Sequence, residues 1–344
     1  MVRIGVPPVI FAAETGESAL DFEQSGAPID IYPHFGSRLF GGAALIEAER
    51  RGVTLVHALS PDLLKRGERM AKKLNVPLLV TANRLEESEL REMSSFNGQG
   101  VVAVSTAIRE RIVNVAGIPQ DRIRVIHNGL DLSRIPRPSL DDPDNLSSLW
   151  RMPVIGTLGH LSEKKGQRVF LQAVRILIDR GFDAEFVILG DGPDRTALRN
   201  FADELNVTKR VTFTPQTVSG QLNQLDILVE PSLQEGLGIS VMQAMATGVP
   251  VIANGVGGLY DLIEDGKTGI MVPAGDATAL ADAIWRLINN PSERLELARQ
   301  AREMIEKDFS AEMVGESLTE YYHECSNSFG GWREGTTRYI EQYR

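Results

Sequence analysis

Short apolar runs alternate with segments of helical period along most of this chain, and that alternation limits the fold more than any other feature. PVIGTLG (153–159) reads as a buried strand. Residues 165–180 then place Val169, Phe170, Ala173, Val174, Leu177 and Ile178 on one helical stripe that stops at Gly181. AEFVILG (184–190) is the next strand, and residues 194–205 the next helix, with Leu198, Phe201, Ala202 and Leu205 inward. VTFT, DILVEPS, VPVIAN and TGIMVP add four strands, and residues 276–289 again show the helical period. Pro291 opens a further helix at its first turn. The first half repeats the style less regularly. PIDIYP, VTLVHAL, VPLLVTA, GVVAVS and IRVIHNG read as strands, with helices at about 61–74 and 105–115. Strands without polar alternation, separated by helices, belong to a parallel sheet covered on both faces.

A chain of 344 residues is long enough for two such units. Residues 132–150, LSRIPRPSLDDPDNLSSLW, lack any apolar period and are rich in Pro, Ser and Asp, the composition of a linker. The expected division is therefore 1–138 as an N-terminal Rossmann-like domain, 139–150 as linker and 151–309 as a C-terminal Rossmann-like domain, with 310–344 as a final helix and tail. With two doubly wound domains, the expected ligand site is a cleft at the carboxyl ends of the strands.

The net charge of −10 is uneven. Residues 1–138 hold 17 Lys+Arg against 16 Asp+Glu, and the remainder 19 against 30. An acidic chain of this kind is a poor nucleic-acid binder, because phosphate contacts need a concentrated basic face. The single cysteine, Cys325, permits no intrachain disulfide, and the five histidines show no i, i+4 pair, so no metal site is expected. No apolar run reaches the roughly 18 residues of a membrane span. The opening MVRIGVPPVIFAAE faintly mimics a signal peptide, but Pro7 and Pro8 interrupt its apolar stretch, and a buried strand explains it at least as well. The expected place is the cytoplasm. A basic helix over Lys65–Lys73, with Lys65, Arg66, Arg69, Lys72 and Lys73, adds the expectation of a peripheral position at the inner face of a membrane. Its plain alternative is a solvated helix face.

Four loops carry candidate chemistry. GHLSEKKGQ (159–167) puts Lys164 and Lys165 where a strand enters a helix, an anion site by charge and by free amides, or two surface lysines. PSLQEGLGISVMQ (231–243) puts Glu235 straight after a strand, with Gly236 and Gly238 before a helix opening near Ile239. Amides of about 236–240 suit a diphosphate, and the Glu235 carboxylate suits sugar hydroxyls; a helix cap and a tight turn are the structural alternative. GDGP (190–193) is a turn whose Gly192 backbone is open to a base or serves the turn alone. VIHNGLDLSRI (125–135) shapes the exit into the linker.

The order of AVSTAIRERIVNVAGIPQDRIRVIHNGLDLSRI, GTLGHLSEKKGQRVFLQAV, AEFVILGDGPDRTALRN, PSLQEGLGISVMQAMATGVPVIANGVGGLYDLI and GKTGIMVPAGDATALADAI resembles the family-4 retaining glycosyltransferases, over about residues 100–325 and more loosely 20–100. The resemblance implies the GT-B architecture, two Rossmann-like doubly wound α/β domains facing across a cleft. It implies transfer of a sugar from a UDP- or GDP-sugar to a lipid, glycan or small-molecule acceptor with retention at the anomeric carbon, without cofactor or obligatory metal. The last helix is expected to return to the first domain.

By the family pattern Lys165 holds the donor diphosphate and Glu235 the sugar hydroxyls, the two residues expected to carry the catalysis. Gly236, Leu237, Gly238 and Ile239 supply amides, with Lys164 and Gly192 at the donor's edge. Three positions depart: His160 stands for the arginine usually paired with the lysine, Gln243 for the second glutamate on the ribose, and Asn83 for a histidine near the donor sugar. Asn83 and Ser105 are expected on the acceptor side. The family's opening Gly-rich loop is not evident unless Gly41-Gly42 supplies it. A catalytically degenerate GT-B binding module and a nucleotide-sugar epimerase are the rival readings.

Overall fold

The computed structural model describes residues 10–12, 29–31, 41–84, 86–135, 152–215 and 222–329. The linker expected at 139–150 and the tail beyond 329 lie outside these residues. The chain divides into two compact units, Met1–Gly129 with Ala311–Arg344, and Leu130–Ser310.

The first unit opens with β1 (Ile10–Ala12) and β2 (Ile29–Ile31), paired in parallel. Helix α1 (Gly41–Arg50) follows, with Gly41 and Gly42 in its first turn. Then come β3 (Val56–Ala58), α2 (Leu64–Leu74), β4 (Leu78–Ala82), α3 (Glu87–Met93), β5 (Gly100–Ala103), α4 (Thr106–Arg111) and β6 (Ile123–Val125). α4 runs into a π-helical stretch, Ile112–Ala116. The strands form one parallel sheet in the order β3-β4-β5-β6. All four residues of β5 are buried, as expected of a strand with helices on both sides.

The second unit runs β7 (Val154–Leu158), α5 (Gln167–Asp179), β8 (Glu185–Leu189), α6 (Arg195–Glu204), β9 (Val211–Thr214), β10 (Ile227–Glu230), α7 (Ile239–Ala246), β11 (Val251–Asn254), α8 (Leu259–Leu262), β12 (Ile270–Val272), α9 (Ala277–Asn289) and α10 (Pro291–Asp308). Its six strands are all parallel, in the order β12-β11-β10-β7-β8-β9. The chain winds outward from β7 in one direction and from β10 in the other, which is the doubly wound arrangement. The stripe on α5 is the core face. Val169, Phe170, Ala173, Val174 and Leu177 are buried with Leu171, while Ile178 is only partly covered. Phe170 meets Phe186 of β8 edge to face at 6.2 Å between centroids. Each fully buried aromatic of this size contributes roughly 2–3 kcal/mol.

The last helix, α11 (Ala311–Ser328), belongs to the first unit. Its Tyr321 and Cys325 pack against Leu79, Val102 and Ile126 of that unit's sheet. Leu130 N donates to Phe309 O at 2.9 Å, so the two ends of the second unit are bonded to each other.

Candidate active site

Doubly wound sheets bind ligands beyond the carboxyl ends of the strands, where the strand order reverses. In the second unit that point lies between the adjacent strands β7 and β10. Lys165 follows β7 and Glu235 follows β10, so the topology alone brings together two residues 70 positions apart in sequence.

The loops then fix the contact. β7 leads into a single 3-10 turn, Glu163–Lys165, and the chain turns into α5 at Gly166, whose φ is 65°. A Cβ on Gly166 would collide with the Pro231 carbonyl, so only glycine lets the two loops lie this close. Leu233 N donates to Lys164 O at 2.8 Å and ties them together. Asn254, buried at the end of β11, donates from Nδ2 to the carbonyls of Pro231 at 2.7 Å and Ser232 at 3.1 Å. The carbonyls of Lys164, Pro231 and Ser232 at this crowded edge are thus bonded rather than left dry and unpaired.

Lys165 Nζ donates to Glu235 Oε2 in a direct ion pair. The other carboxylate oxygen, Oε1, accepts from Gly236 N at 3.1 Å. Gly238, at φ 102°, precedes the first turn of α7, and a Cβ there would press on Leu259 Cδ2 at 2.7 Å. Leu237 and Gly238 are buried, Ile239 is exposed and Gln243 is half-buried on the next turn. His160 is exposed, and its carbonyl accepts from Gln167 Nε2 at 3.1 Å. Lys164 is exposed as well. Gly192 follows β8, with its N–H on Asp191 Oδ1 at 2.8 Å. The direct contacts therefore join Lys165, Glu235 and Gly236, while His160, Lys164, Gly192 and Gln243 stand on the neighbouring loops and turns.

Sequence reasoning missed Glu230. It ends β10, is 1% exposed, and receives hydrogen bonds from Ser232 Oγ at 2.5 Å and Ser240 Oγ at 2.7 Å. Lys165 Nζ is 3.9 Å from its Oε1. Burial pushes this carboxyl up; Lys165 opposes the rise and Glu235 adds to it. A carboxylate ending the apolar run DILVE was the available signal.

In the first unit Asn83 donates from Nδ2 to Leu59 O at 3.1 Å and helps to line a cavity of about 310 Å³ with His57, Thr81, His127 and Asn128. Ser105 is fully buried and its Oγ accepts from Ile108 N at 3.3 Å, capping α4, so its side chain presents no surface to an acceptor. α2 buries Leu64, Gly67 and Ala71 and leaves Lys65, Arg69, Lys72 and Lys73 exposed, with Arg66 half-buried. Lys65 pairs with Glu92 at 2.9 Å. Among the described residues, no three His, Cys, Asp or Glu side chains gather as a metal site, and no helix is long and apolar enough to cross a membrane.

Two family profiles match the chain: glycosyltransferase family 4 over residues 1–134 and glycosyl transferases group 1 over residues 152–290. The alpha-D-kanosaminyltransferase of Streptomyces kanamyceticus is 27% identical over 305 residues, covering 86% of this chain and 74% of that one. The D-inositol 3-phosphate glycosyltransferase of Paenarthrobacter aurescens is 31% identical over 292 residues, covering 79% and 67%. Several other relatives are matched over about half of their own length. Among solved structures, HepE of Anabaena in complex with UDP-glucose superimposes with a TM-score of 0.78 at 20% identity, over 91% of this chain and 90% of that one. With both profiles in their expected halves and a relative at 31% identity over two thirds of its length, the chain belongs to the family-4, group 1 glycosyltransferases and has the GT-B fold of two parallel-sheet α/β domains.

Proposed function

We propose that this glycosyltransferase moves a hexose from a UDP- or GDP-sugar to a lipid, glycan or small-molecule acceptor with retention of anomeric configuration. The observation that carries the reading is the state of Glu235. Its carboxylate occupies the Lys165 ammonium and the Gly236 amide, the two donors best suited to a diphosphate. An entering diphosphate takes these donors over by charge-assisted hydrogen bonds. The displaced carboxylate is then free to accept from sugar hydroxyls. Departure of the diphosphate from an oxocarbenium-like centre is stabilised by Lys165 and the amides at the start of α7, an electrostatic role that needs no covalent step. His160, Lys164, Gly192, Leu237, Gly238, Ile239 and Gln243 complete the donor side, and Asn83 the acceptor side. The UDP-glucose complex of HepE supports a nucleotide-sugar donor.

UDP or GDP is expected to bind the native protein without added divalent metal, because Lys165 and the amides neutralise the diphosphate. Calorimetric titrations with each nucleotide, in EDTA and in magnesium, check this. Binding that vanishes in EDTA would contradict it.

The exposed cations of α2 offer an electrostatic contact to an anionic membrane surface. The apolar face of the helix is used against the sheet, where a Cβ on Gly67 would stand 3.0 Å from Leu78 Cδ1, so the contact is adsorption rather than insertion. Each cation near such a surface contributes about 1 kcal/mol, screened by salt. The triple change Lys65→Glu, Arg69→Glu, Lys72→Glu is expected to abolish sedimentation with phosphatidylserine-rich vesicles at low salt. Equal sedimentation of both proteins, or none of the native one, removes the membrane from the proposal.

A further inference from the structure

Glu230 is a buried ionisable group that the donor-binding scheme above does not use, and its contacts are specific. Its two oxygens do not serve the same partner. Oε1 accepts from Ser232, at the start of the loop that follows β10, and Oε2 from Ser240, in the first turn of α7. Between these serines lie Glu235 and the Gly236–Ile239 amides. One side chain therefore bridges both ends of the segment assigned to the diphosphate and sugar. The bridge runs beneath the loop, because Glu230 and Ser232 are buried while Glu235 keeps 13% of its side-chain surface. A carboxylate in so dry a place is costly to bury unless its lone pairs are met. Here two hydroxyls and the nearby ammonium of Lys165 meet them.

We propose that Glu230 is a positioning residue that clamps the two ends of the 231–240 loop from beneath and so sets the geometry of Glu235 and of the amides before α7. The proposal rests on the reading that Glu235 and Lys165 hold the donor. It adds that their placement depends on a residue that never touches the donor. When Lys165 leaves Glu235 for a diphosphate, Glu230 stays below both and retains Lys165 at the mouth of the loop.

Three variants separate geometry from charge. Glu230→Leu removes both hydrogen bonds at similar size. Glu230→Gln removes the charge but keeps the bridge, since its amide accepts from one hydroxyl and donates to the other. The pair Ser232→Ala, Ser240→Ala keeps the carboxylate and removes both of its hydroxyl partners. Hydrogen exchange of the 232–240 amides, followed by mass spectrometry on the free full-length proteins, is the first readout. Glu230→Leu and the double serine variant are expected to speed exchange there about tenfold or more, and Glu230→Gln to stay within about threefold of native. The second readout is turnover of UDP-glucose and GDP-glucose to free sugar. Glu230→Leu is expected to lower kcat by about 10- to 100-fold with KM moving little, the pattern of lost transition-state alignment, and Glu230→Gln to recover most of it. Exchange unchanged in Glu230→Leu, or Glu230→Gln damaged as much as Glu230→Leu, overturns the proposal. Ser232 Oγ also lies 3.4 Å from Glu235 Oε2, so should Glu230→Leu fail to fold, the single variant Ser240→Ala, which removes only the α7 end of the bridge, decides: exchange of the 232–240 amides as slow as native overturns the proposal. A Glu235→Gln control with undiminished turnover would instead sink the donor reading, and the exchange data would still judge the clamp.

Discussion

Glu235→Gln is expected to lower sugar transfer or donor hydrolysis by roughly 10²–10³-fold while free UDP or GDP binds at least as tightly as to the native protein. The side chain keeps its size, but the neutral amide is a weaker acceptor for sugar hydroxyls that gain positive character as the anomeric bond breaks. Free nucleotide diphosphate has no sugar to lose. It also no longer competes with a carboxylate for Lys165 and the Gly236 amide. Lys165→Ala should fail in the opposite way. Loss of a charge-assisted contact worth about 1.5–3 kcal/mol weakens the free nucleotide about ten- to a hundredfold. Calorimetry and turnover on both variants decide the matter. If Glu235→Gln weakens the nucleotide as much as Lys165→Ala does, or keeps native turnover, the sugar does not sit on Glu235.

The second large effect concerns stability in acid. His57 of β3 is held between Tyr322 OH at 2.6 Å on Nδ1 and Thr81 Oγ1 at 2.7 Å on Nε2, and burial lowers its pKa from 6.5 to about 4. The unfolded chain therefore takes up a proton between pH 6.5 and 4 that the folded chain refuses. The contribution of a neutral His57 is intact above about pH 6.5 and falls away as pH drops toward 4. At 1.36 kcal/mol per pKa unit the loss approaches about 3 kcal/mol. Chemical denaturation of native protein and of His57→Gln across this window should show a steeper decline for the native protein. Parallel declines would mean that the imidazole is not the group responsible. Because Tyr322 lies on α11, the contact also makes the hold on that helix sensitive to acid.

Much of this was legible in the sequence where period and chemistry agreed. The apolar stripes of residues 165–180 and 276–289 became the buried faces of α5 and α9 because a 3.6-residue period leaves one way to bury them. Lys165 and Glu235 could each be singled out in advance because each follows a strand, but their direct ion pair was not legible, since 70 residues separate them and only the sheet order brings the two loops together. Other features were hidden for definite reasons. α1 opens on two glycines, which mask its helical period, and α3 has only seven residues, with a capping contact from Glu86 N to Glu89 Oε2 at 2.8 Å as its local signature. Ser105 looked available to an acceptor because sequence does not show that its hydroxyl caps α4. The bridge from His57 to Tyr322 spans 265 residues, and no local pattern encodes it. The contacts of Glu230 arise only once the β10 loop closes over it.

The return of α11 to the first unit makes the second unit an insert rather than a successor. Its ends, Leu130 and Ser310, are bridged backbone to backbone, so this unit begins and finishes at one spot. During synthesis the order of completion is then the reverse of the order of the sequence. Every residue of Leu130–Ser310 is contiguous and can fold as soon as it emerges, whereas the first unit waits for α11, made after all of it. Until then the sheet surface formed by Leu79, Val102 and Ile126 lacks its cover. A nascent chain whose second unit has just cleared the ribosome but whose α11 has not would thus carry a closed unit and an open one, the moment at which it most needs a chaperone.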